Sequence, residues 1–317
     1  MVDAPLPVPG ATQRDRRAAL GYTMTLAAAM LFSVNGSVSK LALEASGMGT
    51  LRWTELRSTG AFVGLLVGLL VLAPRRLYVD RREALSLLVY GVVGFVLVQW
   101  LYFVAIFRLP IGIGLLLEFT APVLVVLWAR FVWREPVRAR VWPALGLVLV
   151  GLALVAEVWA GLTLDEIGVA AGLLAAVALA IYYLAGERLV TRRDPYSLVC
   201  LAIGAAAGFW AIVQPWWSFP FGTPGRDVSL LGNLASVDLP VWALMLWMVV
   251  VGTIVPFILI VGALRHVRAT RVALLAMIEP VVASVVAFAW LDETLGALQL
   301  VGGAIVLAGI SLAQTSR

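Results

Sequence analysis

The stretch GFVLVQWLYFVAIFRLPIGIGLLLEFTAPVLVVLWARFVWREPVRARVWPALGLVLVG, residues 94–151, returns 158 residues later as GTIVPFILIVGALRHVRATRVALLAMIEPVVASVVAFAWLDETLGALQLVGGAIVLAG, residues 252–309. Gly94 falls on Gly252, Ala105 on Ala263, Pro122 on Pro280, Glu135 on Glu293 and Gly151 on Gly309, and the apolar lengths between these anchors agree without a gap. Upstream, Gly60, Gly64 and Gly68 are echoed by Gly204 and Gly208 at a slightly different offset. The chain reads as a tandem duplication, and the composition says what was duplicated.

Of 317 residues, 62% are hydrophobic and 13% charged, with a mean hydropathy of +1.00. Water-soluble domains carry about 25% charged residues, so lipid is the expected solvent. A spanning helix takes roughly 20 apolar residues, which leaves no room for a large soluble domain. Apolar stretches bounded by charge, Pro or Gly fall at roughly 19–41, 51–73, 85–107, 110–132, 142–160, 167–187, 196–217, 240–263, 271–290 and 296–314. The expected fold class is an all-α polytopic membrane protein of ten transmembrane helices, with a first five-helix repeat at 19–160 and a second at 167–314. Residues 1–18 hold Pro5, Pro7 and Pro9 and then Arg14, Arg16 and Arg17, without an apolar run before the arginines. They are expected to form a short irregular cytoplasmic tail rather than a cleaved signal. The long connection 218–239, with Pro220, Gly222, Pro224, Gly225 and Asp227, is expected to be an irregular loop.

With ten spans and both termini in the cytoplasm, 18 of the 23 basic residues fall on the inner side, as the positive-inside rule demands. The expected location is the cytoplasmic membrane, and the net charge of +5 then reflects orientation rather than nucleic-acid binding. Five spans per copy is an odd number, so the second copy must insert upside down. The loops agree: Trp133-Arg134-Glu135-Pro136-Val137-Arg138 is basic, whereas its counterpart Leu291-Asp292-Glu293-Thr294 has no Lys or Arg. Inverted repeats are an architecture of secondary transporters, which hold substrate near the midplane between the halves.

A single Cys200 and a single His266 exclude an internal disulfide and an ordinary structural zinc site. His266 lies in the basic stretch Arg265-His266-Val267-Arg268, a loop at the membrane surface, away from any serine it could activate. No enzyme, cofactor or metal is expected.

Charges in mid-membrane cost at least about 2.5–3.5 kcal/mol each, which singles out Glu118 in the fourth span and Glu279 in the ninth. Glu118 stands four residues before Pro122, and Glu279 directly precedes Pro280. Burial disfavours the charged form of a carboxyl, which suits such a group to take up and release a proton in a transport cycle; it equally suits a substrate ammonium. The plainer reading of each is a hydrogen bond to backbone carbonyls freed by the neighbouring proline. Arg57, in the outer third of the second span beside Glu55 and Arg52, could ion-pair with a substrate carboxylate in an outer vestibule, but snorkelling to the interface is the favoured expectation.

Asn35, Gln99, Trp100, Tyr102, Tyr182 and Phe257 complete the candidate substrate or proton site, with Ser33, Tyr183 and Thr253 nearby. Asn35 and Gln99 lead, because a carboxamide offers both donor and acceptor to a zwitterion. Pro122, Pro256 and Pro280 are candidate hinges or cavity-lining breaks. Trp53, Trp133, Trp142, Trp217 and Trp242, near span ends, are expected to be interface anchors. The glycine-lined spans two and seven permit close helix packing or a homodimer.

Glu279-Pro280, followed by Glu293 and then Gln299, Gly302 and Gly303, resembles the signature of the EamA family within the drug/metabolite transporter superfamily, and Pro122 with Glu135 is its weaker first-copy form. The run Leu109-Pro110-Ile111-Gly112-Ile113-Gly114 and the segment Leu117-Glu118-Phe119-Thr120-Ala121-Pro122 resemble the threonine and homoserine exporter branch, with Ala121 in place of that branch's Gly. The resemblance implies two inverted EamA repeats in an inner-membrane carrier that exports amino acids or related small metabolites. It implies a central cavity walled by the third, fourth, eighth and ninth spans with help from the first and sixth, Glu118 within it, and Glu135 and Glu293 as structural residues at helix ends. Proton-coupled alternating access is the leading expectation. An uncoupled facilitator or drug exporter, or a non-transporting component such as a lipid scrambler, fits the same pattern.

Overall fold

A computed structural model of the chain describes residues 9–109, 111–159, 165–219, 225–292 and 296–314. Its helices are α1 (Pro9–Ser46), α2 (Thr50–Leu72), α3 (Arg81–Gly91), α4 (Val98–Arg108), α5 (Ile111–Glu118), α6 (Ala121–Phe131), α7 (Val141–Val155), α8 (Glu166–Leu189), α9 (Pro195–Val213), α10 (Val241–Val249), α11 (Val255–Ala263), α12 (Ala269–Ala276), α13 (Glu279–Leu291) and α14 (Ala297–Gln314). Several run on end to end, so that among the described residues eight helical stretches are long and apolar enough to cross a membrane. These correspond to the first four expected spans of each repeat. The fifth of each, Val141–Val155 and Ala297–Ala313, is apolar but shorter than the roughly 20 residues of a full crossing.

Helix starts follow local chemistry. Asp165 accepts the Gly168 N–H at 2.8 Å and so caps α8, and Asp194 caps α9 through the Ser197 N–H at 3.2 Å. Prolines open α6, α9, α11 and α13, where their missing N–H is no loss. Gly47, at φ +64°, follows the end of α1.

Two expectations are corrected here. Residues 9–18, expected as part of an irregular tail, belong to α1, because Pro9 opens the helix and the Ala, Gln and Arg residues after it are good helix formers. The long connection after α9 carries an antiparallel hairpin, β1 (Asp227–Ser229) on β2 (Asp238–Pro240), with Asp227 opposite Pro240. The Asn233 amide donates to the Ala289 carbonyl at 2.9 Å and the Trp290 indole donates to the Leu230 carbonyl at 3.0 Å, which fastens the hairpin to α13. Residues 220–224, with Pro220, Gly222 and Pro224, lie outside the described residues.

The offset of 158 reappears as geometry. A π-helical segment, Val92–Leu97, joins α3 to α4, and another, Val250–Ile254, joins α10 to α11. In the second, the Thr253 hydroxyl donates to the Met248 carbonyl five residues back, at 2.7 Å, and Pro256 cannot donate to Gly252. The next span of each copy is broken in the middle. The break falls at Phe119 and Thr120 between α5 and α6, and at Met277 and Ile278 between α12 and α13. Pro122 and Pro280 each leave the carbonyl four residues earlier without its helical donor.

The short helices that close the copies, α7 and α14, pack on each other through glycines. A methyl on Gly302 would lie 2.7 Å from the Gly151 carbonyl oxygen, and one on Gly309 would lie 2.9 Å from that of Ala144. Under the repeat, Ala144 corresponds to Gly302 and Gly151 to Gly309, so the two contacts exchange with each other. The helices run antiparallel in a self-complementary pair. The glycine ladder of α2 also packs within the chain: Gly60 faces Val249, Gly64 faces Ile254, and Gly204 of α9 receives the Phe62 ring, while Gly68 and Gly208 face open space.

Candidate functional site

Equivalent helix breaks position the two acids, yet not equivalently. Glu118 is the last residue of α5, before its break, and Glu279 is the first residue of α13, after its break. Glu118 nevertheless lies within Coulombic reach of Glu279, and Tyr102 and Tyr183 within reach of both. The breaks therefore bring acids from the two copies into one neighbourhood. Helix α1 closes on it: the Ser33 hydroxyl is shared between the Ala29 carbonyl of its own helix at 2.7 Å and the Glu279 carbonyl at 2.9 Å.

Arg57 corrects the sequence expectation. It does not snorkel outward; its Nε donates to the Thr253 hydroxyl at 2.9 Å, and its guanidinium lies over the Phe257 ring, 5.5 Å from the centroid. It acts electrostatically on Glu279. Thr253 holds Arg57 by accepting from it while donating to Met248, so the π segment of the second copy builds the arginine's seat.

Asn35 is 6% exposed, and its Oδ1 has no hydrogen-bond partner among the described residues. Its carboxamide lies against Gly252, where any side chain would overlap it. An unpaired buried acceptor is costly, which makes Asn35 a group ready for a donor from a bound molecule.

Aromatic rings pack beside these polar groups. Phe257 meets Phe32 at 5.2 Å and Phe95 at 4.7 Å, Phe95 meets Tyr182 edge-on at 5.4 Å, and Tyr182 stacks on Tyr90 at 5.5 Å. Tyr182 also rests on Gly94 of the first π segment. Its place is thus in the packing between the copies, and Phe257 bridges that packing to Arg57.

Of the remaining expected residues, Gln99 is half-buried on α4. Trp100 is 44% exposed with its ring 6.5 Å from Phe209 of α9, and shares none of the contacts around the acids. Pro122, Pro256 and Pro280 all sit at the breaks or π segments just described. Trp53 is buried rather than an interface anchor, whereas Trp217 and Trp242 are exposed. Glu135 pairs with Arg268 at 2.9 Å and so ties the copies together; Glu293 and Pro110 lie outside the described residues. Glu55 is fully buried and paired with Arg52, which also reaches the Gln214 and Pro215 carbonyls and the Ser218 hydroxyl. His266 lies between α11 and α12, where burial and then Arg265 and Arg17 hold its imidazole below the usual range. Among the described residues no group of His, Cys, Asp and Glu could hold a metal ion.

Similarity to known proteins follows this architecture. The model of the EamA-like transporter family matches residues 19–156 and 166–315. An uncharacterized transporter of Archaeoglobus fulgidus is 29% identical over 252 residues, 80% of this chain and 84% of its own length. The threonine/homoserine exporter RhtA of Escherichia coli K12 is 29% identical over 257 residues, 80% of each chain. A protein crystal structure 17% identical in sequence superposes with a TM-score of 0.73, covering 93% of this chain and 96% of that one, and thus shares the fold.

Proposed function

The chain belongs to the EamA-like transporter family, and from that premise we propose that it exports amino acids or related small metabolites by proton-coupled alternating access. That it is a multi-pass membrane transporter follows from the family and the eight long apolar helices. The finer reading has ten transmembrane helices, two repeats of opposite orientation in the cytoplasmic membrane, and both termini in the cytoplasm. It is supported by the matched π segments and breaks, by the antiparallel pairing of α7 with α14, and by the 18 basic residues on one side.

The observation that carries the proposal is the placement of Glu118 and Glu279 at the equivalent helix breaks of the two copies, with Ser33 against the Glu279 carbonyl and Arg57 on the Thr253 hydroxyl nearby. Broken helices that carry polar groups are how secondary transporters build a midplane site. An α-amino acid offers a carboxylate and an ammonium. Arg57 suits the first, Glu118 and the unpartnered Asn35 Oδ1 suit the second, and Phe257 and Tyr102 suit a short side chain. Glu118, which forms no ion pair among the described residues, is the proton-exchanging group in this scheme. The 29% identity to the threonine/homoserine exporter RhtA favours threonine and homoserine as first substrates to try.

The test is counterflow in proteoliposomes with a panel of amino acids that includes threonine and homoserine. Exchange of at least one is expected, and exchange of none removes the exporter reading. A second reading, an uncoupled facilitator, is favoured by the Arg57–Glu279 couple, which could hold a zwitterion with no proton moved. Exchange indifferent to a pH gradient would select it.

A further inference from the structure

At the end of the bundle where the basic segments gather, α3, α6 and α8 enclose an apolar groove of about 570 Å³ that the central site does not use. Its wall is made by Leu85 and Val89 of α3, Trp128 of α6, and Ile181 and Leu189 of α8. Leu85 is 68% and Ile181 40% exposed, so in a bilayer this wall faces acyl chains. Its mouth is different. Arg188 and Arg192 line it together with Trp133, and the Arg188 guanidinium lies over the Trp133 ring, 4.5 Å from the centroid. The Trp133 indole N–H is buried without a hydrogen-bond partner among the described residues.

The two arginines are placed for an anion from outside the chain. Neither forms an ion pair within 4 Å among the described residues, and both are exposed. The carboxylates closest in sequence and charge are already engaged. Glu83 is clamped by Arg193 through both of its oxygens, at 2.7 and 2.8 Å, and Glu187 accepts the Ala269 N–H at 2.9 Å. Arg193 is fixed further by the Arg76 and Tyr78 carbonyls, so the clamp holds the connection before α3 beside the mouth. The result is an apolar slot open to lipid, closed at its polar end by two guanidinium groups and one spare indole donor.

We propose that this groove binds an anionic phospholipid, with the phosphate between Arg188 and Arg192 and one acyl chain along α3 and α8. Guanidinium groups bind phosphate through paired hydrogen bonds, and basic pockets between helices at the inner membrane face are suited to anionic head groups. The apolar wall commits the occupant to a lipid rather than a soluble phosphate. Tyr90 lines the groove and also stacks on Tyr182, so the lipid abuts the aromatic packing that reaches Phe257. The site stands whatever the acids at the helix breaks bind.

The experiment is native mass spectrometry of the full chain released from nanodiscs of equal phosphatidylglycerol and phosphatidylethanolamine. The wild type is expected to keep phosphatidylglycerol in preference, and the double variant Arg188→Gln/Arg192→Gln to lose at least about tenfold of it. The charge-matched control Arg75→Gln/Arg82→Gln, on exposed residues of the same face, is expected to keep it. Val89→Trp leaves both arginines in place but fills the slot, and is expected to lose the lipid too, which decides the matter if the double variant does not fold. Equal retention of both lipids, equal loss in the control, or retention in Val89→Trp would overturn the proposal. So would displacement of the lipid by millimolar glycerol phosphate, which would mark a site for free phosphate.

Discussion

The two broken helices of the repeat, α5–α6 and α12–α13, share a break at the same position and a proline just after it, yet they carry their acids on opposite sides of that break. Glu279 follows its break, where Ser33 holds its carbonyl and Arg57 balances its charge. Glu118 precedes its break, within Coulombic reach of Tyr102, Tyr183 and Glu279, and forms no ion pair among the described residues. Duplication supplied one scaffold twice, and a shift of three residues gave the copies different electrostatics. The proposed division of labour gives Glu279 the fixed geometry and Glu118 the proton.

The largest effect that could break this comparison comes from Arg57. Arg57→Gln removes the charged hydrogen bond to Thr253 and the cation over Phe257, and a hydrogen bond to a charged group contributes about 1.5–3 kcal/mol. A large fall in the thermal midpoint in detergent is expected, with partial recovery in Arg57→Gln/Glu279→Gln. No recovery would show that the two charges do not balance each other.

The shared part of the scaffold is tested next. Gly302→Ala puts a methyl 2.7 Å from the Gly151 carbonyl oxygen and 2.8 Å from the Val155 nitrogen, backbone atoms that cannot swing aside. A loss of about 1–3 kcal/mol follows from overpacking, read as a lower midpoint, whereas Gly68→Ala, in open space, should change little. Equal effects at both positions would deny that α7 and α14 close the two repeats on each other. The smallest effect sharpens the asymmetry of the acids: Ser33→Ala removes one interhelical hydrogen bond, about 0.6 kcal/mol by the average in membrane proteins, and exchange should persist with a modest change in rate.

The repeat, the polytopic helices, the two acids and the three prolines at breaks are legible in the sequence, because each depends on local hydrophobicity or on proline chemistry. What is not legible depends on partners far away along the chain. Arg57 and Thr253 are separated by 196 residues, and nothing local says whether an arginine near a span end turns out to water or in to a hydroxyl. Trp53 lies near a span end as an interface anchor would, but is buried in a cluster with Phe219, Leu230 and Val241. The π segments leave only a faint trace, the glycines Gly94 and Gly252, which need a tertiary reason: Tyr182 packs on one and Asn35 on the other.

In the proposed cycle Glu118, not Glu279, carries the proton. It is tested by threonine counterflow in proteoliposomes with and without an imposed pH gradient, in the wild type, Glu118→Gln and Glu279→Gln. The account predicts that the gradient alters exchange in the wild type and in whatever activity Glu279→Gln retains, and leaves Glu118→Gln unchanged. A Glu118→Gln protein whose exchange still responds to the gradient as the wild type does would contradict it.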